Sequence, residues 1–140
     1  MKYTVGYTQG VFDMFHIGHL NLINRAKEQC EILIVGVNAD LLVQQYKKKT
    51  PVINQENRAE IVRNLKSVDE CVIVDTLDKV NAWKKFRFDA VFIGDDWKGN
   101  DRWRHTEIEL SRYGVDVVYL PHTADVSSTG LREETSNRVE

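Results

Sequence analysis

Glu31-Ile32-Leu33-Ile34-Val35-Gly36-Val37 is an almost unbroken apolar run rich in β-branched residues. A strand with one wet face alternates apolar and polar side chains, so a run without alternation reads as a strand buried on both faces, the mark of a parallel sheet covered by helices. The flanking residues agree. Asn38-Ala39-Asp40 opens a short helix around Leu41 to Tyr46, and upstream Lys2 to Tyr7 is predicted as a strand leading to a helix from near Gly18 to about Gln29. In that helix Leu20, Leu22, Ile23 and Ala26 trace one apolar face, and Asn21, Asn24, Arg25 and Lys27 cover the rest. The unit then repeats. A helix is predicted over Gln55–Lys66 with Ile61, Val62 and Leu65 inward, followed by a strand Cys71–Val74, a helix through Val80 to Phe86 and a strand Asp89–Gly94. Arg102 to Tyr113 is predicted helical with Gly114 as its cap, then a strand Val115–Leu120 and a last helix starting near Ser128. The expectation is an α/β fold: one doubly wound domain over residues 1–140 with a five-stranded parallel sheet and ligand loops at the C-terminal ends of the strands.

Composition narrows the class. A chain of 140 residues, 42% hydrophobic and 29% charged, suits one packed core. A net charge of -2 gives no global basic field, so a nucleic-acid surface is not expected, although local cations could grip phosphates. Cys30 and Cys71 lie far apart beside apolar runs, which suits buried thiols in a reducing cytoplasm. No apolar run approaches the ~20 residues of a bilayer span and no signal-peptide core opens the chain, so no membrane partner is expected.

The segment Gly10-Val11-Phe12-Asp13-Met14-Phe15-His16-Ile17-Gly18-His19 joins the first strand to its helix. Histidines three apart at a helix start can project to one side, where free backbone N–H groups add positive potential that suits a phosphate. Gly18 removes a side chain between them, and Gly10 is expected to permit the tight turn out of the strand. A lone histidine there would be read as a core or capping residue; the whole run points to an anion whose charge grows during reaction. Lys47, Lys48, Lys49, Thr50 and Pro51 lack apolar periodicity, so the segment from Lys47 to Asn54 is expected as an exposed, mobile loop and the best lid candidate. Gly94-Asp95-Asp96-Trp97 makes a polar loop after the fourth strand, readable also as a turn with a helix cap. His122-Thr123-Ala124-Asp125-Val126-Ser127-Ser128-Thr129 places hydroxyls and N–H groups at a helix start, a second phosphate site or a plain N-cap.

Together these motifs resemble the H-x-G-H nucleotidyltransferase superfamily, and most of all the glycerol-3-phosphate cytidylyltransferase family. The likeness runs from the G-x-F-D-x-x-H-x-G-H opening through Arg58 and Val68-Asp69-Glu70 to Gly94-Asp95-Asp96-Trp97 and Val118-Tyr119-Leu120-Pro121. Literal H-I-G-H also occurs in class I aminoacyl-tRNA synthetases, but 140 residues leave no room for their tRNA-binding parts. The resemblance implies a Rossmann-like nucleotidyltransferase fold and in-line attack by a substrate phosphate oxygen on the α-phosphorus of a nucleotide, with pyrophosphate leaving and Mg²⁺ carried by the triphosphate. It implies catalytic roles for His16, His19, Lys47 and Lys49, with Lys48 an alternative within the lysine pair. Gly10, Val11, Phe12, Asp13, Gly18, Asp96, Trp97, Ser127, Ser128 and Thr129 are implied to bind nucleotide, Asp96 by accepting from the exocyclic amine of cytosine. Lys66, His122 and Thr123 are implied to hold the acceptor or its phosphate. Members carry arginine where Lys66 and His122 stand and glycine where Asp125 stands, so the acceptor end departs from the pattern. The expected reaction is cytidylyl transfer from CTP to glycerol 3-phosphate or a similar small polyol phosphate by a homodimer. Alternatives are an ATP-dependent adenylyltransferase acting on a phosphorylated sugar or cofactor precursor, and an inactive nucleotide-binding module.

Overall fold

The computed structural model of the chain describes residues 2–123. The expected last helix near Ser128, with Asp125, Ser127, Ser128 and Thr129, lies outside the described residues. Strands β1 (Tyr3–Gly10), β2 (Cys30–Asn38), β3 (Glu70–Val74), β4 (Ala90–Gly94) and β5 (Asp116–Leu120) form one five-stranded sheet in the order β3-β2-β1-β4-β5. Every pairing is parallel, as the unalternating β2 run requires. Helices α1 (Ile17–Glu28), α2 (Asp40–Lys47), α3 (Gln55–Arg63), α4 (Lys79–Phe86) and α5 (Asp101–Ser111) fill the crossovers. The chain winds outward from β1 to β3, then returns to place β4 on the other side of β1. The strand order therefore reverses between β1 and β4, and such a reversal opens a crevice at the C-terminal strand ends.

The core is the expected one: Leu33, Val35 and Val37 of β2, Phe92 and Ile93 of β4, and Ile23 and Ala26 of α1 are inaccessible to solvent. Gly114 closes α5 in the left-handed conformation (φ 73), with Val115 N–H donating to the Leu110 carbonyl and Gly114 N–H to that of Ser111, the paired bonds of a Schellman cap. Cys30 and Cys71 are buried free thiols, and burial pushes Cys71 up to about 11, which makes it a poor nucleophile. No helix among the described residues is long and apolar enough to cross a membrane.

Three local expectations are corrected. β1 continues to Gly10 because β2 supplies ladder partners as far as Gly10 opposite Val37. The turn out of β1 is made instead by Phe12 (φ 53) and Met14 (φ 48), held left-handed at a cost of about 1–3 kcal/mol each. Helix α3 stops at Arg63, since Asn64 caps it with its side-chain amide on the Glu60 carbonyl, and Ile61 is exposed while Arg58 takes the inward position beside Ala59 and Val62. The polar face of α1 is also not simply solvated: Asn21 donates to Thr123, Arg25 to the Pro121 carbonyl and Lys27 to Asp69.

Candidate active site

The loop from β1 enters α1 at the β1/β4 reversal, and its two histidines cap the helix reciprocally. His16, extended at φ -137, is the N-cap; its Nδ1 accepts from the Gly18 N–H at 3.0 Å, while the His16 N–H donates to Nδ1 of His19 at 3.3 Å. The capping reading and the chemical reading thus coincide in one arrangement. A ring whose Nδ1 accepts a backbone proton carries its own proton on Nε2, so both imidazoles are neutral Nε2–H donors. The rings stack with centroids 3.9 Å apart, a separation at which two imidazolium cations would repel. Burial lowers the pKa of His16 below its ordinary value, which favours the same neutral state. His19 is buried, its ring wedged by Phe12 and Phe15 at 5.5 and 5.3 Å. The left-handed backbone at Phe12 and Met14 turns the chain here, and Phe12 packs its ring against His19.

Asp13 is fully buried and committed to backbone. Its carboxylate accepts from the N–H groups of Val52 (2.7 Å), Ile53 (2.9 Å) and Met14 (3.0 Å). This ties the far end of the lysine segment to the histidine loop, which corrects the picture of a loop free from Lys47 to Asn54. Lys47 is the last residue of α2, with its ammonium 5.7 Å from the Tyr46 ring centroid, and Lys48 is the left-handed C-cap (φ 60). Only the short stretch around Lys48, Lys49 and Thr50 lies between α2 and the anchored residues, and Gln44 holds Thr50 through its hydroxyl.

Arg58 is a residue whose position in the sequence pattern did not disclose its task. Completely buried, it donates to the carbonyls of Val11 (2.8 Å), Asn38 (2.8 Å) and Ile53 (2.7 Å) and to the Asp40 carboxylate. One guanidinium fork therefore fixes the end of β1, the end of β2 and the anchored loop relative to one another.

After β4, Asp95–Trp97 form one 3-10 turn. Asp96 folds back over Gly94, where an added Cβ would lie 2.8 Å from its Oδ1, so a side chain at 94 would push the Asp96 carboxylate aside. Trp97 is half-buried against the core, with the Arg102 guanidinium 5.6 Å from its ring centroid. Neighbouring Asp95 contacts Nδ1 of His122 at 2.6 Å, and this hydrogen bond holds the Asp95 carboxyl below the usual carboxylate range. Thr123 is held by Asn21 of α1. The structure thus gathers the histidine loop, the Asp95–Trp97 turn, His122 and Thr123 along the C-terminal edges of β1, β4 and β5. Lys66 is not brought to them. It sits in the turn before β3, at the opposite end of the sheet, beside residues that bond to Asn24 and Leu33.

A family model described as cytidylyltransferase-like matches residues 7–134. The glycerol-3-phosphate cytidylyltransferase of Bacillus spizizenii (strain ATCC 23059 / NRRL B-14472 / W23) is 32% identical over 131 residues, covering 93% of this chain and 95% of that protein. FAD synthase of Korarchaeum cryptofilum (strain OPF8) is 34% identical, covering 87% of this chain and 84% of that one. Bifunctional protein HldE of Caulobacter sp. (strain K31) is 40% identical over 91% of this chain, which spans only 26% of that longer protein. With the motif loops gathered at the strand reversal and the model matched over nearly its whole length, the chain belongs to the cytidylyltransferase-like family of nucleotidyltransferases.

Proposed function

We propose that the chain transfers a cytidylyl group from CTP to glycerol 3-phosphate or a similar small polyol phosphate. The observation that carries this reading is the pair of capped, Nε2-protonated imidazoles at the start of α1. An acceptor phosphate oxygen attacks the α-phosphorus in line, the bond to the β-phosphate oxygen breaks, and pyrophosphate leaves with that electron pair. The chain needs no nucleophile of its own; its work is positioning and stabilising charge on the phosphate oxygens. His16 and His19 donate to those oxygens, with the helix N-terminus behind them. Lys47 and Lys49 neutralise the leaving pyrophosphate, and Lys48 is close enough in the chain to substitute. Asp96 accepts from the cytosine amine and thereby disfavours uracil, whose carbonyl is no donor. Thr123 and His122 face phosphate, His122 steered by Asp95.

Both histidine Nδ1 atoms are already acceptors, so the pair suits phosphate oxygens and not a cation; Mg²⁺ fits as a passenger on the triphosphate. Bound there, the ion supplies further charge neutralisation. We take the working unit to be a homodimer in the cytoplasm.

A second reading, adenylyl transfer from ATP to a phosphorylated sugar or cofactor precursor, is favoured by the FAD synthase relative. Pyrophosphate release measured with CTP and with ATP over a panel of polyol and sugar phosphates tests both. Release with CTP and a polyol phosphate supports the first reading, release with ATP alone the second. Tight CTP binding without turnover on any acceptor would point to an inactive nucleotide-binding module.

A further inference from the structure

Three of the chain's histidines stand at the C-terminal strand ends, and they use Nδ1 in two opposite ways. His16 and His19 accept backbone protons at Nδ1, at 3.0 and 3.3 Å, so each neutral ring carries its own proton on Nε2. His122 does the reverse. Its Nδ1 lies 2.6 Å from Oδ1 of Asp95, whose carboxyl is held below the usual carboxylate range by this contact. An ionised carboxylate can only accept, so Nδ1 of His122 donates and the neutral ring carries a lone pair on Nε2.

The ring is fixed from several sides. Asp95 opens the single 3-10 turn after β4 and accepts from the His122 backbone N–H as well, so one carboxylate holds both ring and main chain. On either side of His122 the chain is tied to α1: Arg25 donates to the Pro121 carbonyl at 2.8 Å, and Asn21, within one turn of Gly18, donates to Thr123 at 2.9 Å. His122 is therefore held beside the helix that carries the histidine pair, while its side chain stays 58% exposed and open to a ligand. The charged groups about it are Asp95 in contact, Asp96 in the same turn and Arg25 on the α1 side, with Lys98 and Glu107 at Tyr119, three residues up the strand. Asp125 lies outside the described residues.

A lone pair facing a phosphate oxygen sets two acceptors against each other, whereas a proton on Nε2 makes a charged donor. The arginine that similar sequences carry at this position is always charged and needs no such step. We infer that His122 grips a substrate phosphate only as the imidazolium, taking up one proton from solvent at Nε2 when the phosphate binds, and that Asp95 is the positioning residue that imposes this requirement. The inference rests on the nucleotidyltransferase reading, which supplies the phosphate, and adds a proton to its binding step. Linkage sets the sign: above the pH at which the unliganded ring loses its proton, affinity falls by up to about tenfold for each pH unit, and below it levels off.

The experiment is a calorimetric titration of the intact chain with CTP and Mg²⁺, and separately with glycerol 3-phosphate, in buffers of differing ionisation enthalpy so that protons taken up are counted. His122→Arg supplies a fixed charge, and every other titrating group, the ligand's phosphates included, is common to both proteins. Between about pH 6.5 and about pH 8.5 the wild type is expected to lose roughly tenfold or more in affinity relative to His122→Arg, and at the upper end to take up about one proton more. The ligand that shows this difference is the one whose phosphate His122 holds. Asp95→Asn, whose amide can donate to Nδ1 and so admit a neutral ring with its proton on Nε2, is expected to recover most of that loss at high pH. A purely structural role for Asp95 would instead lower affinity alike at every pH. Nitrogen NMR of the imidazoles reads the tautomers directly, with the proton of the neutral ring expected on Nδ1 in His122 and on Nε2 in His16 and His19. Parallel pH curves for wild type and His122→Arg with both ligands, or a proton on Nε2 of neutral His122, would overturn the inference. Transfer with parallel curves would sink this inference alone, and proton-linked CTP binding without transfer to any acceptor would sink the reaction reading alone.

Discussion

Replacing Arg58 by Met tests how the site is held together. The side chain is fully buried and its loss strands the carbonyls of Val11, Asn38 and Ile53 and the partner carboxylate of Asp40, which is itself 32% exposed. Stranding buried acceptors costs about 1–3 kcal/mol each before water enters, and removing one member of a buried ion pair costs about 3–5 kcal/mol. Because Asp40 recovers some hydration and water entering the space the guanidinium vacates can satisfy the three carbonyls, we place the total at about 3–5 kcal/mol. With an unfolding entropy of roughly 2.1 cal/mol/K per residue, 140 residues convert that to a fall in Tm of about 10–17 °C. Urea unfolding followed by circular dichroism, with an unchanged slope against denaturant, measures it directly. Arg58→Lys keeps the charge without the fork and should recover less than half of the loss. A loss below about 1 kcal/mol for Arg58→Met would refute the claim that this one side chain ties the β1 loop, the β2 end and the anchored segment together.

Other outcomes follow from the same geometry. His19→Ala should lower kcat by about 10²–10³-fold, the usual cost of one preorganised donor, with CTP affinity changed far less; an equal effect on both would assign His19 to ground-state binding. Burial lowers the His16 pKa, so the folded state prefers the neutral ring: the cap's contribution is fully present above the unfolded value near 6.5 and is lost as pH falls through the lower folded value. Stability measured from pH 7.5 to 5 should therefore drop more for wild type than for His16→Asn, which caps without titrating in this range; parallel curves would contradict that account. Asp96→Asn should narrow the preference for CTP over UTP, since an amide can donate to the uracil carbonyl, and an unchanged ratio would remove Asp96 from base recognition.

Much of this architecture is readable from residue pattern alone. The unalternating run through Ile34 and Val35 demands a parallel sheet, and the strand order puts the histidine loop, the Asp95–Trp97 turn and His122 at one end of it. Side-chain networks that join distant segments are not readable in that way. Nothing local to Asp13 announces that it accepts from Val52 and Ile53, nor does Arg58 show in its helix that it reaches Val11 and Asn38. The turn out of β1 defeated expectation for a similar reason: Gly10 invited a turn by propensity, but ladder pairing with Val37 kept it extended and passed the strain to Phe12 and Met14. Lys66, matched to the family by motif, lies in the α3–β3 connection, which a parallel sheet places at the N-terminal strand ends, away from the motif loops. Gln9 and Asn38 are two amides inside otherwise apolar strands, and the strands' residue pattern does not show that they bond to each other across β1 and β2.

The most direct test of the central claim is pyrophosphate release from CTP by purified wild-type chain in the presence of Mg²⁺ and polyol phosphates of three to six carbons, with the nucleotide product weighed by mass spectrometry. The account predicts one pyrophosphate released for each cytidylyl-polyol conjugate formed, and loss of that release by two orders of magnitude or more, about 3 kcal/mol of barrier, when His16 or His19 is replaced by alanine. No release with CTP or ATP on any acceptor, or full release by the alanine variants, would contradict it.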